Sequence, residues 1–336
     1  MIIKNFPIIK LIINSNENYH VSLDTVNEFE QTILKNNTSW IIPLSSNKIL
    51  KKTIYLFWRI KEKYLIKIRL FRYFNTFYRG LFKMNKHKHY FAVLMGEDWY
   101  KCFPYFLFNS HKSIYLFDAW PNQQKSICKF INNFNIDNVF LSSSQATQMF
   151  KATNIKSHFY WVPEGIQQEL YKHCPYDAKD IDVLALGRRY DKYHYNIVDF
   201  LDRDGKIYLY EKKKGEIIFP TRNNFIDGLA RTKISICVPS SMTHPERSGN
   251  IETMTIRYLQ SIVSKCLILG YAPKEMIDLF GYNPLIEIDM KNSVRQMQSI
   301  LNNFYEYIPL IEKNYETVLN NHTWNHRWQQ ILSLLK

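Results

Sequence analysis

From about Lys88 onward, short apolar runs rich in β-branched and aromatic residues alternate with longer stretches whose apolar positions recur every three or four residues. The first pattern predicts buried strands and the second amphipathic helices, and their alternation predicts an α/β fold. Predicted strands of the first half are Trp40–Pro43, Tyr90–Met95, Ser113–Phe117, Asn138–Leu141 and His158–Val162, with helical patterns such as Gln123–Asn132 between them. Those of the second half are Asp182–Leu186, Ile207–Tyr210, Ile234–Val238, Cys266–Leu269 and Leu285–Ile288. Val294–Lys336 reads as helix throughout, with Trp324 and Trp328 one turn apart on one face. The polar stretch Gln167–Asp180 separates the halves as a linker, and neither internal repeats nor low-complexity tracts interrupt the pattern.

The chain has 336 residues, which exceeds one comfortable core and predicts two domains. With 46% hydrophobic and 22% charged residues it is unlike a disordered chain. No apolar run approaches the ~18–20 residues of a membrane-spanning helix. Lys4, Asn5, Pro7 and Lys10 break the apolar N-terminal stretch, so it does not read as a signal peptide and a cytosolic protein is expected. Cys102, Cys128, Cys174, Cys237 and Cys266 are scattered with no C-x-x-C pair, which predicts free thiols rather than disulfides or structural zinc.

The net charge of +14 is concentrated. Between Lys51 and Lys88 twelve Lys or Arg face the single acid Glu62. Phe57, Ile60, Tyr64, Phe71, Phe74, Tyr78 and Leu81 recur there at helical spacing, with Arg59, Lys63, Arg69, Arg72, Arg79 and Lys83 largely between them. This basic amphipathic segment suits an anionic membrane surface, where aromatic rings sit at headgroup level and each cation gains about 1 kcal/mol. An ordinary surface helix fits the same pattern. Nucleic acid ranks last, because no recognised nucleic-acid-binding motif accompanies the charge.

Candidate chemistry lies where strands of the second half end. After Val183–Leu186 come Gly187, Arg188, Arg189 and Lys192, a glycine turn with cations suited to a diphosphate. After Ile234–Val238 the loop to Glu252 crowds His244, Glu246, Arg247, Ser248 and Gly249 together, and the helix Thr253–Val263 carries Thr255, Arg257, Tyr258 and Gln260. After Cys266–Leu269, Gly270 opens a turn into a helix whose first turn carries Glu275, positioned to bind sugar hydroxyls. In the first half, Asp98 and Asp118 sit beside Trp99 and Trp120 at strand ends.

The order of these parts over residues 90–305 resembles the GT-B glycosyltransferases, most closely the family-four-like group that uses nucleotide sugars. Val139–Ser143 resembles that group's strand ending in serine, and Trp161–Ile166 its Pro-Asn-Gly segment, with Glu164 in place of Asn. Gly187, Arg188 and Lys192 resemble its diphosphate clamp, with Lys192 one residue closer than usual. Gly270–Glu275 resembles its glycine-rich loop. The group's two glutamates, seven residues apart, are altered here: Glu252 keeps the spacing but reaches Gln260, whereas Glu246 keeps only the glycine three residues on. Either glutamate fits the first role.

The resemblance implies two Rossmann-like doubly wound domains facing each other across a cleft, with C-terminal helices returning toward the first domain. The boundaries are 1–170 for the acceptor-side domain, 171–310 for the nucleotide-sugar-binding domain and 311–336 for the returning helix. It implies transfer of a sugar from a nucleotide-sugar donor to a lipid-linked glycan acceptor in surface polysaccharide or lipopolysaccharide synthesis, retaining and metal-independent, at the cytoplasmic membrane face. No cofactor beyond the donor is implied. Catalytic candidates are Glu246, Glu252 and His244, with Asp98 and Asp118 as bases should the reaction invert. Donor-binding candidates are Gly187, Arg188, Arg189, Lys192, Arg247, Ser248, Gly249, Thr255, Arg257, Tyr258, Gln260, Gly270 and Glu275. Arg59, Arg69, Arg72, Arg79 and Trp120 are candidates for membrane or acceptor contact. A nucleic-acid-binding protein and a catalytically silent sugar-nucleotide binder stay open.

Other signals carry little. Asp180-Ile181-Asp182 and Asp202-Arg203-Asp204 spell D-x-D, but neither lies at a strand's carboxyl end. His87/His89 and His322/His326 lack a third metal ligand nearby. No G-x-S-x-G elbow and no G-x-G-x-x-G fingerprint is present, against hydrolase and dinucleotide chemistry.

Overall fold

The computed structural model describes residues 9–13, 23–36, 40–41, 88–102, 105–107, 110–187, 189–213 and 215–335. The chain forms two compact units: Met1–Ser142, Ala146–Val162 and Trp328–Lys336 in the first, Ser143–Gln145 and Pro163–Arg327 in the second.

In the first unit the elements are β1 (Ile9–Ile12), α1 (Asp24–Asn36), β2 (Trp40–Ile41), β3 (His89–Met95), β4 (His111–Phe117), α2 (Gln124–Phe134), β5 (Asn138–Leu141), α3 (Ser144–Lys151) and β6 (His158–Trp161). Six parallel strands pair in the order β2-β1-β3-β4-β5-β6. Strands buried on both faces need nearly continuous apolar sequence, as in Tyr90–Leu94 and Ile114–Phe117. Helix α2 buries Ile127, Phe130, Ile131 and Phe134, a stripe at helical spacing, and ends on Asn135 in the left-handed region at φ 46°. Phe29 of α1 meets Tyr115 edge-on at 4.9 Å between ring centroids. Trp328 meets Phe91 at 5.3 Å and Phe29 at 6.3 Å.

In the second unit the elements are β7 (Ile181–Ala185), α4 (Asp191–Arg203), β8 (Tyr208–Leu209), α5 (Arg222–Ala230), β9 (Thr232–Cys237), the single turns α6 (Ser240–Thr243) and α7 (Pro245–Ser248), α8 (Ile256–Val263), β10 (Leu267–Gly270), α9 (Lys274–Phe280), β11 (Ile286–Glu287), α10 (Ser293–Asn302), α11 (Ile308–Asn321) and the start of α12 (Trp324–Leu334), whose remainder from Trp328 belongs to the first unit. Five parallel strands pair in the order β11-β10-β9-β7-β8. Alternate residues feed two cores. Leu184, Cys237 and Ile268 pack with Tyr258, Leu259 and Ile262 of α8 on one face. Val183, Ile234, Ile236, Leu267 and Leu269 pack with Tyr193, Ile197 and Leu201 of α4 on the other.

The predicted strands recur within a few residues, shortened at the sheet edges, where Ile207–Tyr210 contracts to β8 and Leu285–Ile288 to β11. β1 and α1 were not predicted; the Lys10 that breaks the apolar run is the half-buried residue of β1. The stretch read as a linker is fastened to the second unit. Lys179 is buried there, and its Nζ donates to Ala230 O at 2.8 Å, Thr232 O at 2.9 Å and Ser264 O at 3.0 Å. Burial lowers its pKa. Among the described residues, no helix is long and apolar enough to cross a membrane.

Candidate functional site

In the second sheet β7 pairs with β8 on one side and β9 on the other, so chain order reverses between β7 and β9. Ligands of open α/β sheets bind beyond the carboxyl ends of the strands at such a point. Gly187, just past β7, has φ +79°, a conformation that strains residues with a Cβ. A Cβ there would also lie 3.0 Å from Cδ and Nη1 of Arg257. That guanidinium spans the switch point, with Nη1 donating to Leu186 O at 3.0 Å and Nη2 reaching Val238 O at 3.5 Å. It is partly buried, and among the described residues no carboxylate pairs with it.

Two acids hold the segment that presents Arg257. Glu164 is buried, and its Oε2 accepts from Ile256 N, the first helical residue of α8, at 2.8 Å. This capping role was not legible from the variant Pro-Glu-Gly segment. The Oγ1 of Thr255, the residue before the helix, is buried with no hydrogen-bond partner among the described residues. Glu275, in the first turn of α9, accepts four hydrogen bonds. Its Oε1 receives Thr253 Oγ1 at 2.7 Å and Met254 N at 2.8 Å; its Oε2 receives Ser144 Oγ at 2.7 Å and Ser144 N at 2.8 Å. The carboxylate expected to hold sugar hydroxyls is occupied within the protein.

Two further donor-binding candidates on α8 face inward. Gln260 is buried and donates through Nε2 to Tyr171 Oη at 2.9 Å. Tyr258 is buried in the core, with its hydroxyl donating to Tyr271 O at 2.8 Å, and burial pushes its pKa well up. Gly270 answers to strand packing: a Cβ there would overlap Cys237 O of β9, so the residue must be glycine with or without a ligand.

Arg188 lies outside the described residues. Arg189 is held by Asp191 at 2.6 Å and by Glu211 O at 3.0 Å, and the Asp191 hydrogen bond raises its pKa. Its guanidinium carbon also lies 5.7 Å from the Tyr195 ring centroid and 5.9 Å from that of Tyr210. Lys192 stands exposed in the first turn of α4.

The loop after β9 forms two short turns. His244 O accepts from Arg247 N at 3.1 Å, Ser248 N at 3.2 Å and Ser248 Oγ at 3.1 Å, so Ser248 is buried as a structural hydroxyl. Gly249 follows at φ 56°. Glu246 is exposed and Glu252 partly buried, with Glu252 N donating to Gln145 Oε1 at 2.7 Å. Among the described residues no group of three or more His, Cys, Asp or Glu side chains is arranged to hold a metal ion.

In the first unit Asp98 forms an ion pair with Lys101 at 2.7 Å, while Trp99 stacks on Phe130 at 4.3 Å. Asp118 follows β4 in the left-handed region at φ 52°, a conformation Asp tolerates better than most residues. Trp120 is buried, which removes its ring face from the surface expected to receive a sugar. Arg59, Arg69, Arg72 and Arg79 lie outside the described residues.

HepE from Anabaena, solved in complex with UDP and glucose, is similar over 98% of this chain and 99% of its own, with a TM-score of 0.58 and 9% identity. The solved structures similar to this chain are GT-B glycosyltransferases. The fold is GT-B. TarM is similar over 78% of this chain, with a TM-score of 0.51 and 10% identity, and the chain spans 57% of TarM. A UDP-forming α,α-trehalose-phosphate synthase from Burkholderia xenovorans is similar over 79% of this chain and 78% of its own, with a TM-score of 0.51 and 8% identity. No protein-family model and no curated protein matches the sequence.

Proposed function

We propose that this chain is a glycosyltransferase that takes its sugar from a nucleotide-diphosphate donor of the UDP-sugar class, bound at the strand ends of the second unit. The observation that carries the reading is the switch point between β7 and β9, where a positive-φ glycine turn and a guanidinium without an acid partner among the described residues meet in a GT-B chain. Bond cleavage toward an oxocarbenium-like sugar leaves negative charge on the diphosphate, and preorganised cations stabilise charge as it develops. Side-chain cations take that role without a metal. Glu252 and Glu246, in the loop that follows β9, are the candidate catalytic acids, with His244 beside them.

The acceptor is a lipid-linked glycan of surface polysaccharide or lipopolysaccharide synthesis, and transfer is retaining. The lipid part is supported by the twelve cations of Lys51–Lys88, which suit a peripheral protein at the cytoplasmic membrane face. Retention is supported by resemblance to the family-four-like group. A catalytically silent sugar-nucleotide binder is the second reading, favoured by Gln260 standing where that group has a glutamate and being buried on Tyr171.

Thermal melts of the full chain with UDP-glucose, UDP-GlcNAc, GDP and ADP sugars test the donor. A donor at ~100 times its dissociation constant adds about 2.7 kcal/mol, which raises the melting temperature measurably. No stabilisation by any of them refutes the reading. Stabilisation without sugar release or transfer to isolated lipid-linked glycans selects the silent binder.

A further inference from the structure

In the resembled family the phosphate clamp is supplied by the turn after the first strand of the second domain. In that turn Arg189 is engaged by Asp191 and by the Glu211 carbonyl, Lys192 is exposed, and Arg188 lies outside the described residues. Charge is placed at the switch point from elsewhere in the sequence. Arg257 lies 70 residues after Gly187, in the first turn of α8.

Three observations on Arg257 converge. Its side chain takes up the space that a Cβ at position 187 would need, so the glycine turn is shaped around the guanidinium. Two of its nitrogens reach the carbonyls just past β7 and β9, Leu186 O and Val238 O, which fixes the fork and leaves other N–H donors uncommitted among the described residues. No described carboxylate balances its charge, and a guanidinium held partly out of water with no counter-ion is costly. Such a group calls for an anion at the strand ends. Glu164 at Ile256 N and Glu275 at Met254 N hold the backbone on which it rides.

We infer that Arg257, delivered by α8, supplies a cation for the donor's diphosphate in this chain. This rests on the nucleotide-sugar reading above for the identity of the anion. It also gives the positive-φ turn a reason that the clamp resemblance lacks, since Gly187 admits an arginine before it admits a ligand.

The test is calorimetric titration of the full-length chain with UDP and, separately, with inorganic pyrophosphate. The variants are Arg257→Gln, Arg257→Lys and, as comparator, Lys192→Ala. Arg257→Gln removes the charge while keeping a polar side chain; thermal melts report whether the fold is intact. Arg257→Gln should weaken UDP and pyrophosphate binding about 10- to 100-fold, the range for one charge-assisted contact. Arg257→Lys should recover part of that loss, which a purely structural role would not produce, and Lys192→Ala should cost less than about threefold. UDP binding that is strong and indifferent to Arg257→Gln overturns the inference and leaves the donor reading standing. Arg257-dependent pyrophosphate binding without UDP binding upholds the cation assignment and refutes the donor reading. Binding of neither probe overturns both, as does an Arg257→Gln chain that has lost its cooperative melt while Arg257→Lys, fully folded, binds neither probe.

Discussion

The carboxylate of Glu164 accepts the backbone N–H of Ile256 at 2.8 Å, across 92 positions of sequence. The first N–H groups of a helix have no intrahelical acceptor, and a carboxylate there also complements the helix dipole. Glu164→Ala should therefore destabilise the chain by about 1–2 kcal/mol, whereas Glu164→Gln, which keeps an acceptor oxygen, should cost less. Urea unfolding of the two variants measures the difference; equal losses would mean that the side chain acts through packing alone.

Glu275 separates a structural from a ligand-binding role. Glu275→Ala strands Thr253 Oγ1, Met254 N and Ser144 N, and leaving buried donors unmet costs about 1–3 kcal/mol each before relaxation. The expected loss is about 3 kcal/mol or more, seen as a lower urea midpoint in the absence of any nucleotide. An unchanged midpoint with lost donor binding would return the residue to the sugar-binding role read from its motif.

At Gly270 a methyl group has nowhere to go. It would overlap the Cys237 carbonyl oxygen, which belongs to a neighbouring strand's backbone and cannot rotate aside. Gly270→Ala should cost at least about 2 kcal/mol and lower expression of soluble protein. A melting temperature equal to that of the unaltered chain would contradict the close strand approach.

Two buried histidines make stability acid-sensitive. Burial first, and then the neighbouring His111, push His89 down to about 4, where it shares a 2.7 Å hydrogen bond with Ser113. Burial first, and then the Arg327 cation, push His322 down to about 3; Arg327 Nη2 lies 2.7 Å from its Nδ1. Both folded values lie below the ordinary 6.5, so the unfolded chain takes up protons first as pH falls. Their contribution is complete above pH 6.5 and is lost progressively from there, through about 4 for His89 and about 3 for His322. Between pH 7 and 4 each should cost on the order of 3 kcal/mol. Melting temperatures across this range test it, and a flat profile would contradict neutral burial.

The segment Lys51–Lys88 carries a separate expectation. Charge reversal at Arg69, Arg72 and Arg79 should abolish flotation with vesicles containing anionic lipid and leave binding to neutral vesicles unchanged at its low level. Continued flotation would count against a membrane role for these cations.

Much of the fold was legible in the sequence, because strand and helix faces are written as periods of two and 3.6 along neighbouring residues. Ile234–Val238 was recognisable for that reason, and Tyr90–Met95 as a continuous apolar run of strand length. β1 was missed because four residues with Lys10 among them are too short for a period to declare itself. The candidate site was legible as a crowding of glycine, cationic and acidic residues after successive strands, but residue roles were not. Glu275 and Gln260 stand at motif positions and turn inward to Thr253, Met254 and Tyr171, while Arg257, read as one neighbour among several, spans the two central strand ends.

By itself the sequence determined the α/β class, the division into two halves and the strand ends at which chemistry gathers, all of which follow from local pattern. Only the tertiary structure decided which polar groups are spent inside the protein. A hydrogen bond depends on distance in space, and the partners of Glu164, Gly187 and Glu275 come from positions 21 to 131 residues away, where no local period reaches.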